Sequence, residues 1–259
     1  MLKQLASADV AEVLTLVSQA SDPTVTATVS ERKHALVNGV SLLIGADFWC
    51  WSVGVFHETS GDAMSNSWMD GGLLDDAEKL RFMNLLTTGE FAKAANPILL
   101  EIVNSNRYVS YLSQEIFAIP EVAAVEHLWH AAGFGHNIIS TYALQPGVAS
   151  GIGFHRRFGK PEFTERDRTI VHLVFQQVEW LHRDNAKIPI NRTLLNLSQR
   201  ERQVLIFLMG GDSLKQVAKR LQLSHHTVGD YVKSIYRQLG VNSRAELMSH
   251  FISGGQHVA

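Results

Sequence analysis

Near its C-terminus the sequence repeats one short pattern that leaves little freedom in where helices begin. Ser198 with Glu201, Ser213 with Gln216 and Ser243 with Glu246 each place a hydroxyl three residues ahead of a long polar side chain. In such a pair the hydroxyl accepts from the amide three residues on, and the long side chain returns to the amide of the serine, so two donors orphaned at a helix start are satisfied together. The pattern predicts helices at Gln199 to Gly210, Leu214 to Leu221, His225 to Leu239 and Arg244 to Ile252. Only Gln222-Leu223-Ser224 joins the middle pair, the tight connection of a helix-turn-helix. On the helix 225–239, Val228, Val232, Ile235 and Leu239 share one face, whereas His225, His226, Gly229, Asp230, Lys233 and Arg237 share the other. One face is for packing and the other for contact.

Charge follows the same boundary. The formal net charge of the 259 residues is −2, but residues 196–252 hold eight basic and four acidic side chains, a net of +4, and the rest holds 15 basic and 21 acidic, a net of −6. A small basic unit attached to a larger acidic one localises attraction for phosphate at the C-terminus.

The segments LSQRERQVL, SLKQVAKRLQLSHHTVGDYVKSIYRQLGV and SRAEL, in that order, resemble the DNA-binding domain of the LuxR family of bacterial transcription regulators over about Leu197 to Phe251. The resemblance implies an all-α, four-helix C-terminal domain whose helix 225–239 lies in the major groove of double-stranded DNA, and whose last helix makes a dimer contact. It implies phosphate or groove contacts from Lys219, Ser224, Thr227, Lys233 and Arg237, with His225, His226 and Asp230 closest to the bases. The general physics of a helix in a groove agrees, since its N-terminal residues meet base edges and its positive end attracts phosphate. The chain departs from the family at Gly229, where a basic residue is common, at Tyr231, where His is common, and at Gln238, where Lys is frequent. The partners implied are DNA, a second copy of the chain and RNA polymerase.

The first 186 residues read differently. Residues 2–20 and 30–45 are amphipathic helices, the second stopped by Gly45. FWCWSVGVFH, from Phe48, is a strand with Trp49, Trp51, Val53 and Val55 on one face and Phe48, Cys50, Ser52, Gly54 and Phe56 on the other. A second strand is expected over 65–69, a helix over LLDDAEKLRFMNLLTTG, a strand from Arg107, a helix opened by Pro120 and closed by Gly133, a hairpin of strands from His136 and Ser150, and one long helix from Phe163 to Asp184 capped by Thr164 and Asp167. That order predicts an α+β domain, an antiparallel sheet with flanking helices. SGIGFHRRFGKPEFTERDRTIVHLV resembles the final strand and helix of GAF-containing regulators, which implies a GAF/PAS-like sensor. The domains expected are 1–186 (sensor and dimerisation), 187–196 (linker, broken by Pro189) and 197–259 (helix-turn-helix).

A small-molecule effector would lie between sheet and helices in a mostly apolar pocket, for which Trp49, Trp51, Trp68, Tyr108, Tyr111 and Trp129 are the aromatic candidates. His127 and His130 beside Glu126 have helical spacing that would permit a metal, yet no further ligand set presents itself, and neither metal nor cofactor is expected. The single Cys50 lacks the partner of a thiol redox enzyme, and no Ser, His and Asp arrangement reads as a triad, so the expectation is a regulator without catalytic residues. No run of about 18 apolar residues exists, which predicts a cytoplasmic chain with no membrane partner. The alternatives are an effector-independent regulator whose first domain only dimerises through the helix 163–184, or a catalytic GAF-like domain fused to a DNA-binding module.

Overall fold

The structure is a computed structural model that describes residues 5–22, 24, 27–55, 67–72, 75, 77–78, 81–82, 85, 90–91, 94, 108–145, 148–186, 197–209 and 212–247, without side chains at 54–55, 67–70, 145, 148, 184–186, 199, 202, 206 and 209. The chain divides into two units, Met1–Asn185 and Ala186–Ala259.

In the first unit, helices α1 (Ser7–Ser21) and α2 (Val29–Ile44) precede strands β1 (Phe48–Val55), β2 (Ser67–Gly72) and β3 (Val109–Leu112). Short helices α3 (Ser113–Ile116), α4 (Pro120–Ala123) and α5 (Glu126–Ala131) lead to the hairpin of β4 (Phe134–Gln145) and β5 (Val148–Arg157), followed by α6 (Glu165–Gln177) and α7 (Glu179–Ala186). The five strands form one sheet in the order β2-β1-β5-β4-β3, and every neighbouring pair is antiparallel. β5 is therefore the middle strand.

Alternation gives the sheet two unlike faces. On the first, Trp49 aligns with Phe154 and Phe154 with Ile138, while Trp51 aligns with Ile152. These side chains are fully buried against Leu36, Val37 and Val40 of α2, Val13 of α1, and Ile170, Val174 and Phe175 of α6. Thr164 and Asp167 cap α6 reciprocally, with the Asp167 amide 3.3 Å from Thr164 Oγ1 and the Thr164 amide 3.0 Å from Asp167 Oδ2. Arg156 joins three elements. It donates to the carbonyls of Ile44 and Gly45 at the end of α2 and of Pro161 and Glu162 before α6, and it lies 4.0 Å over the Phe163 ring. Gly45 can receive it because its φ of 63° ends α2 in the left-handed region.

On the second face a smaller cluster forms from Phe48, Phe134 and Trp129 with the helical residues Phe82, Leu85, Phe91 and Ala94. His155 belongs to it, stacked at 4.6 Å on Phe48 and 5.5 Å from Trp129.

Local structure departs from the sequence expectation in three places. The long helix 163–184 is two, because Val178 leaves helical geometry at φ −106° and ψ 42°. The break lets His182 turn under the sheet, where its Nδ1 lies 2.9 Å from Ser150 Oγ. The helix 120–133 is also two short pieces separated at Val125. The expected strand from Arg107 stops at Leu112, whose amide donates to Glu115 Oε2 at 2.8 Å and so begins a helical turn instead.

In the second unit, α8 (Gln199–Met209), α9 (Leu214–Leu221) and α10 (His225–Leu239) are followed by helical backbone at 244–247; the remainder of the fourth predicted helix lies outside the described residues. The Ser198–Glu201 and Ser213–Gln216 pairs make both hydrogen bonds of a capping box. At the third, Ser243 Oγ accepts from the Glu246 amide at 3.0 Å, but Glu246 turns to the amide of Asn242 rather than to that of Ser243. The α9–α10 turn is set by Gln222 at φ 54°, a left-handed conformation that costs a non-glycine residue about 1 kcal/mol. It is offset locally by the Leu223 amide, which donates to the Ala218 carbonyl at 2.9 Å. Val228, Val232, Ile235 and Leu239 form the buried stripe of α10. Buried Glu201 receives Gln238 Nε2 at 2.9 Å, and Arg244 donates to the carbonyls of Leu208 and Asp212, so α8, α10 and the last turn are tied by polar groups as well as by apolar packing.

Two buried imidazoles make stability depend on pH. Burial pushes His155 down to about 3 and His182 down to about 4. Both are neutral in the folded chain and titrate near 6.5 when unfolded, so below that pH the unfolded chain binds more protons. Their contribution is complete above pH 7 and is lost as pH falls toward 4, by about 1.4 kcal/mol per pH unit for each histidine. Carboxylates enter only lower, near pH 4.5 and below. Thermal unfolding of the full chain should therefore give a lower midpoint at pH 5.5 than at pH 7.5, with a smaller difference for His155→Phe; equal midpoints for the wild type would contradict the burial of neutral histidines.

Candidate nucleic-acid interface and sensor surface

Burial of Val228 and Val232 turns the opposite side of α10 outward. His225, His226, Asp230, Lys233 and Arg237 are all exposed there, as are Lys219 on α9 and Ser224 at the turn, and Thr227 is half-buried. The structure thus brings the eight sequence-predicted contact residues onto the turn and adjoining helices of one unit. Ser224 is the N-cap, its hydroxyl accepting from the Thr227 amide at 3.0 Å and lying 2.8 Å from the Thr227 hydroxyl. Asp230 is flanked by two donors, with Oδ2 3.0 Å from His226 Nδ1 and Oδ1 3.4 Å from Lys233 Nζ. A Cβ added at Gly229 would meet no heavy atom within 4 Å, so the protein itself does not require glycine at that position.

Not all of the local positive charge is available for contact. Arg220 pairs with Asp212 at 2.7 Å, and Arg244 is spent on backbone carbonyls. Gln238, at a position where Lys is frequent in the family it resembles, faces inward to Glu201. Burial pushes the Glu201 carboxyl up, but hydrogen bonds from Ser234, Ser198 and Gln238 outweigh it and leave the group ionised below its usual range. Periodicity alone did not separate these scaffold residues from contact residues, because all lie on polar sides of their helices.

In the first unit the aromatic candidates do not converge. Trp49 and Trp51 are wholly buried on the helix-packed face, where Trp49 Nε1 donates to Asn38 Oδ1 and Trp51 Nε1 to Ser150 Oγ, each at 2.8 Å. Tyr108 is on that side too, its ring 4.8 Å from His172. Trp129 lies on the other face, donating to the Gly135 carbonyl at 2.6 Å, and strand alternation places half-buried Tyr111 on that other face as well. The backbone of Trp68 pairs with Val53, and its side chain lies outside the described residues.

Small residues shape the second face. On the second face, one row across the sheet is Cys50, Gly153, Ile139 and Tyr111, and the next is Ser52, Gly151, Thr141 and Val109. Cys50, Ser52, Gly151 and Ile139 keep some exposure although β1, β5 and β4 are interior strands, as do Tyr111 and Val109 on the edge strand β3. Gly153 is needed where it is, because a Cβ would come within 2.5 Å of His155 Nε2, whereas one at Gly151 would meet only ordinary contacts from 3.7 Å. Among the described residues these rows make an uncharged floor bordered by buried aromatic rings. The signal for it was the alternating glycine of SGIGF, set against the bulk of the residues between.

Directly behind this floor, on the helix-packed side of the same strand, Ser150 Oγ takes the Trp51 indole and contacts His182 of α7. Cys50 Sγ is 3.3 Å from His155 Nε2, but burial pushes the thiol up and the imidazole down, so the pair rests as neutral thiol and neutral imidazole, without a thiolate nucleophile. His130 Nε2 meets Glu126 at 3.7 Å and His127 Nδ1 lies 3.0 Å from the Ala124 carbonyl; among the described residues no group of three or more His, Cys, Asp or Glu could hold a metal ion. No helix among the described residues is long and apolar enough to cross a membrane.

Comparison with known proteins bears on the second unit. Residues 195–251 match the family model described as bacterial regulatory proteins, luxR family. The chain is similar to the transcriptional regulatory protein TdiR of Thauera aromatica, 34% identical over 79 residues, which cover 30% of this chain and 35% of that one. It is also similar to the probable HTH-type transcriptional regulator GfsR of Streptomyces halstedii, 34% identical over 64 residues, covering 24% and 26% respectively. The chain thus spans about a third or less of the length of these relatives. Among solved structures it is similar to Escherichia coli SdiA (15% identity, TM-score 0.44, covering 96% of this chain and 99% of that one). It is similar also to CepR2 of Burkholderia cenocepacia, described as an N-acylhomoserine lactone dependent LuxR family transcription factor (12% identity, TM-score 0.48, covering 68% and 98%). At such scores the character of the first unit rests on its own geometry. The second unit is a helix-turn-helix domain of the luxR family of bacterial regulatory proteins.

Proposed function

We propose that the chain is a cytoplasmic, dimeric transcriptional regulator that binds a pseudo-palindromic DNA site through α10 of each copy and is modulated by a small molecule in its first unit. The observation that carries the DNA reading is the division of α10 into a buried apolar stripe and an exposed face bearing His225, His226, Asp230, Lys233 and Arg237, within a luxR-family domain. Lys219, Lys233 and Arg237 serve as phosphate contacts, Ser224 and Thr227 as contacts near the helix start, and the two histidines with Asp230 as base readers. Transcription then changes through contact with RNA polymerase or its exclusion. The neutral Cys50–His155 pair speaks against a thiolate nucleophile at that position.

For the first unit, the antiparallel sheet with helical layers supports a GAF/PAS-like sensor. The floor of Cys50, Ser52, Gly151, Ile139 and Tyr111 is the better effector surface than the tryptophans named from sequence, since among the described residues it is uncharged and partly accessible. Consecutive residues of β5 face opposite ways, Gly151 into the floor and Ser150 toward His182 on α7. A molecule that displaces β5 therefore acts on the helix from which the chain runs on into the linker, altering the spacing or freedom of the paired DNA-binding units.

Two measurements test this. Binding of the full chain to genomic duplex fragments should weaken steeply with salt, with a log–log slope of about −5 for a dimer making three phosphate contacts per copy, and Lys233→Ala should lower the slope by about 2 per dimer. Folded protein with no salt-sensitive binding to any fragment sinks the DNA reading. Native mass spectrometry of protein taken directly from cells should show a bound small molecule that Gly151→Leu loses while DNA binding persists. If no bound mass is seen and no metabolite shifts the unfolding midpoint, the effector-independent, purely dimerising first unit is the correct reading.

A further inference from the structure

The outward face of α10 carries one group that phosphate would repel. Asp230 sits in the middle of the stripe formed by His226, Lys233 and Arg237, opposite buried Val228 and Val232, with its side chain 55% exposed. It is not left to swing freely, because His226 Nδ1 holds one oxygen at 3.0 Å and Lys233 Nζ the other at 3.4 Å. One residue before it, Gly229 has no side chain, and a Cβ there would find open space. Nothing at that position stands between the helix and an approaching base edge.

The chemistry of the groove then narrows what Asp230 can face. An ionised carboxylate offers only acceptors. In the major groove guanine presents the acceptors N7 and O6, thymine an acceptor beside a methyl group, and adenine a donor beside an acceptor; cytosine presents the N4 amino donor without an adjoining acceptor. Guanine and thymine edges repel the carboxylate, and adenine N7 opposes its second oxygen. We infer that Asp230 is a specificity-determining residue that accepts from the N4 amino group of a cytosine in each half-site, with His226 and Lys233 steadying the carboxylate.

This inference rests on the DNA-binding reading above, and one experiment separates the two. The full-length protein, with Asp230→Ala and Asp230→Asn beside it, is used to select duplexes from a randomised library. Both variants change an exposed side chain, and circular dichroism with thermal unfolding verifies that they fold. The wild type should recover a two-fold motif with a fixed cytosine in each half. Asp230→Ala should make that position degenerate while keeping the rest of the motif, with a loss of discrimination there on the order of tenfold. Asp230→Asn should move the preference to adenine, whose N6 and N7 match a carboxamide. A wild-type motif without a fixed cytosine, the same base retained by both variants, or loss of the whole motif by a folded variant each overturns the role of Asp230 and leaves DNA binding standing. Recovery of no motif by the wild type overturns the DNA-binding reading itself.

Discussion

Alternation along β5 is the constraint on which the first unit depends. β5 is the middle of five strands, so its residues set the character of both sheet faces. Ile152 and Phe154 join the large core under α1, α2 and α6, while Gly151 and Gly153 leave the other face low. The same period places Ser150 between the Trp51 indole and His182. Along β5 the bulk of Ile152 and Phe154 thus faces the helical layer, and the two glycines lie beside the aromatic cluster of Phe48, Phe134 and Trp129. A shift of one residue would exchange the faces, burying glycines where the helices need partners.

Polar ties do for the second unit what apolar volume does for the first. Its helices are short, and isolated helices of such length are marginal in water. Burial of the α10 stripe therefore works together with Glu201, which links the start of α8 to Gln238, and with Arg244, which closes the carbonyl end of α8. These ties consume charged groups that a count of basic residues would assign to DNA. What remains outward is a smaller and more mixed set, in which Asp230 lies between His226 and Lys233.

Much of this was legible in the sequence. The caps at Ser198, Ser213 and Thr164 and the stripe Val228, Val232, Ile235 and Leu239 are local features, and local rules found them. The antiparallel order followed from strands too close in sequence for crossover helices. What local rules missed depends on partners far along the chain. The break at Val178 coincides with a contact from His182 to Ser150, 32 residues away, and nothing in the apolar period of that helix announces it. The aromatic residues offered as an effector pocket divide between two sheet faces because aromatic rings fill cores as readily as they line cavities.

The central claim, that the outward face of α10 meets DNA, is tested most directly by hydrogen exchange of the full chain with and without a duplex that it selects. The account predicts slowed exchange concentrated in residues 219–237, around the α9–α10 turn and along α10. Protection confined to the first unit, with residues 219–237 unchanged, would contradict it.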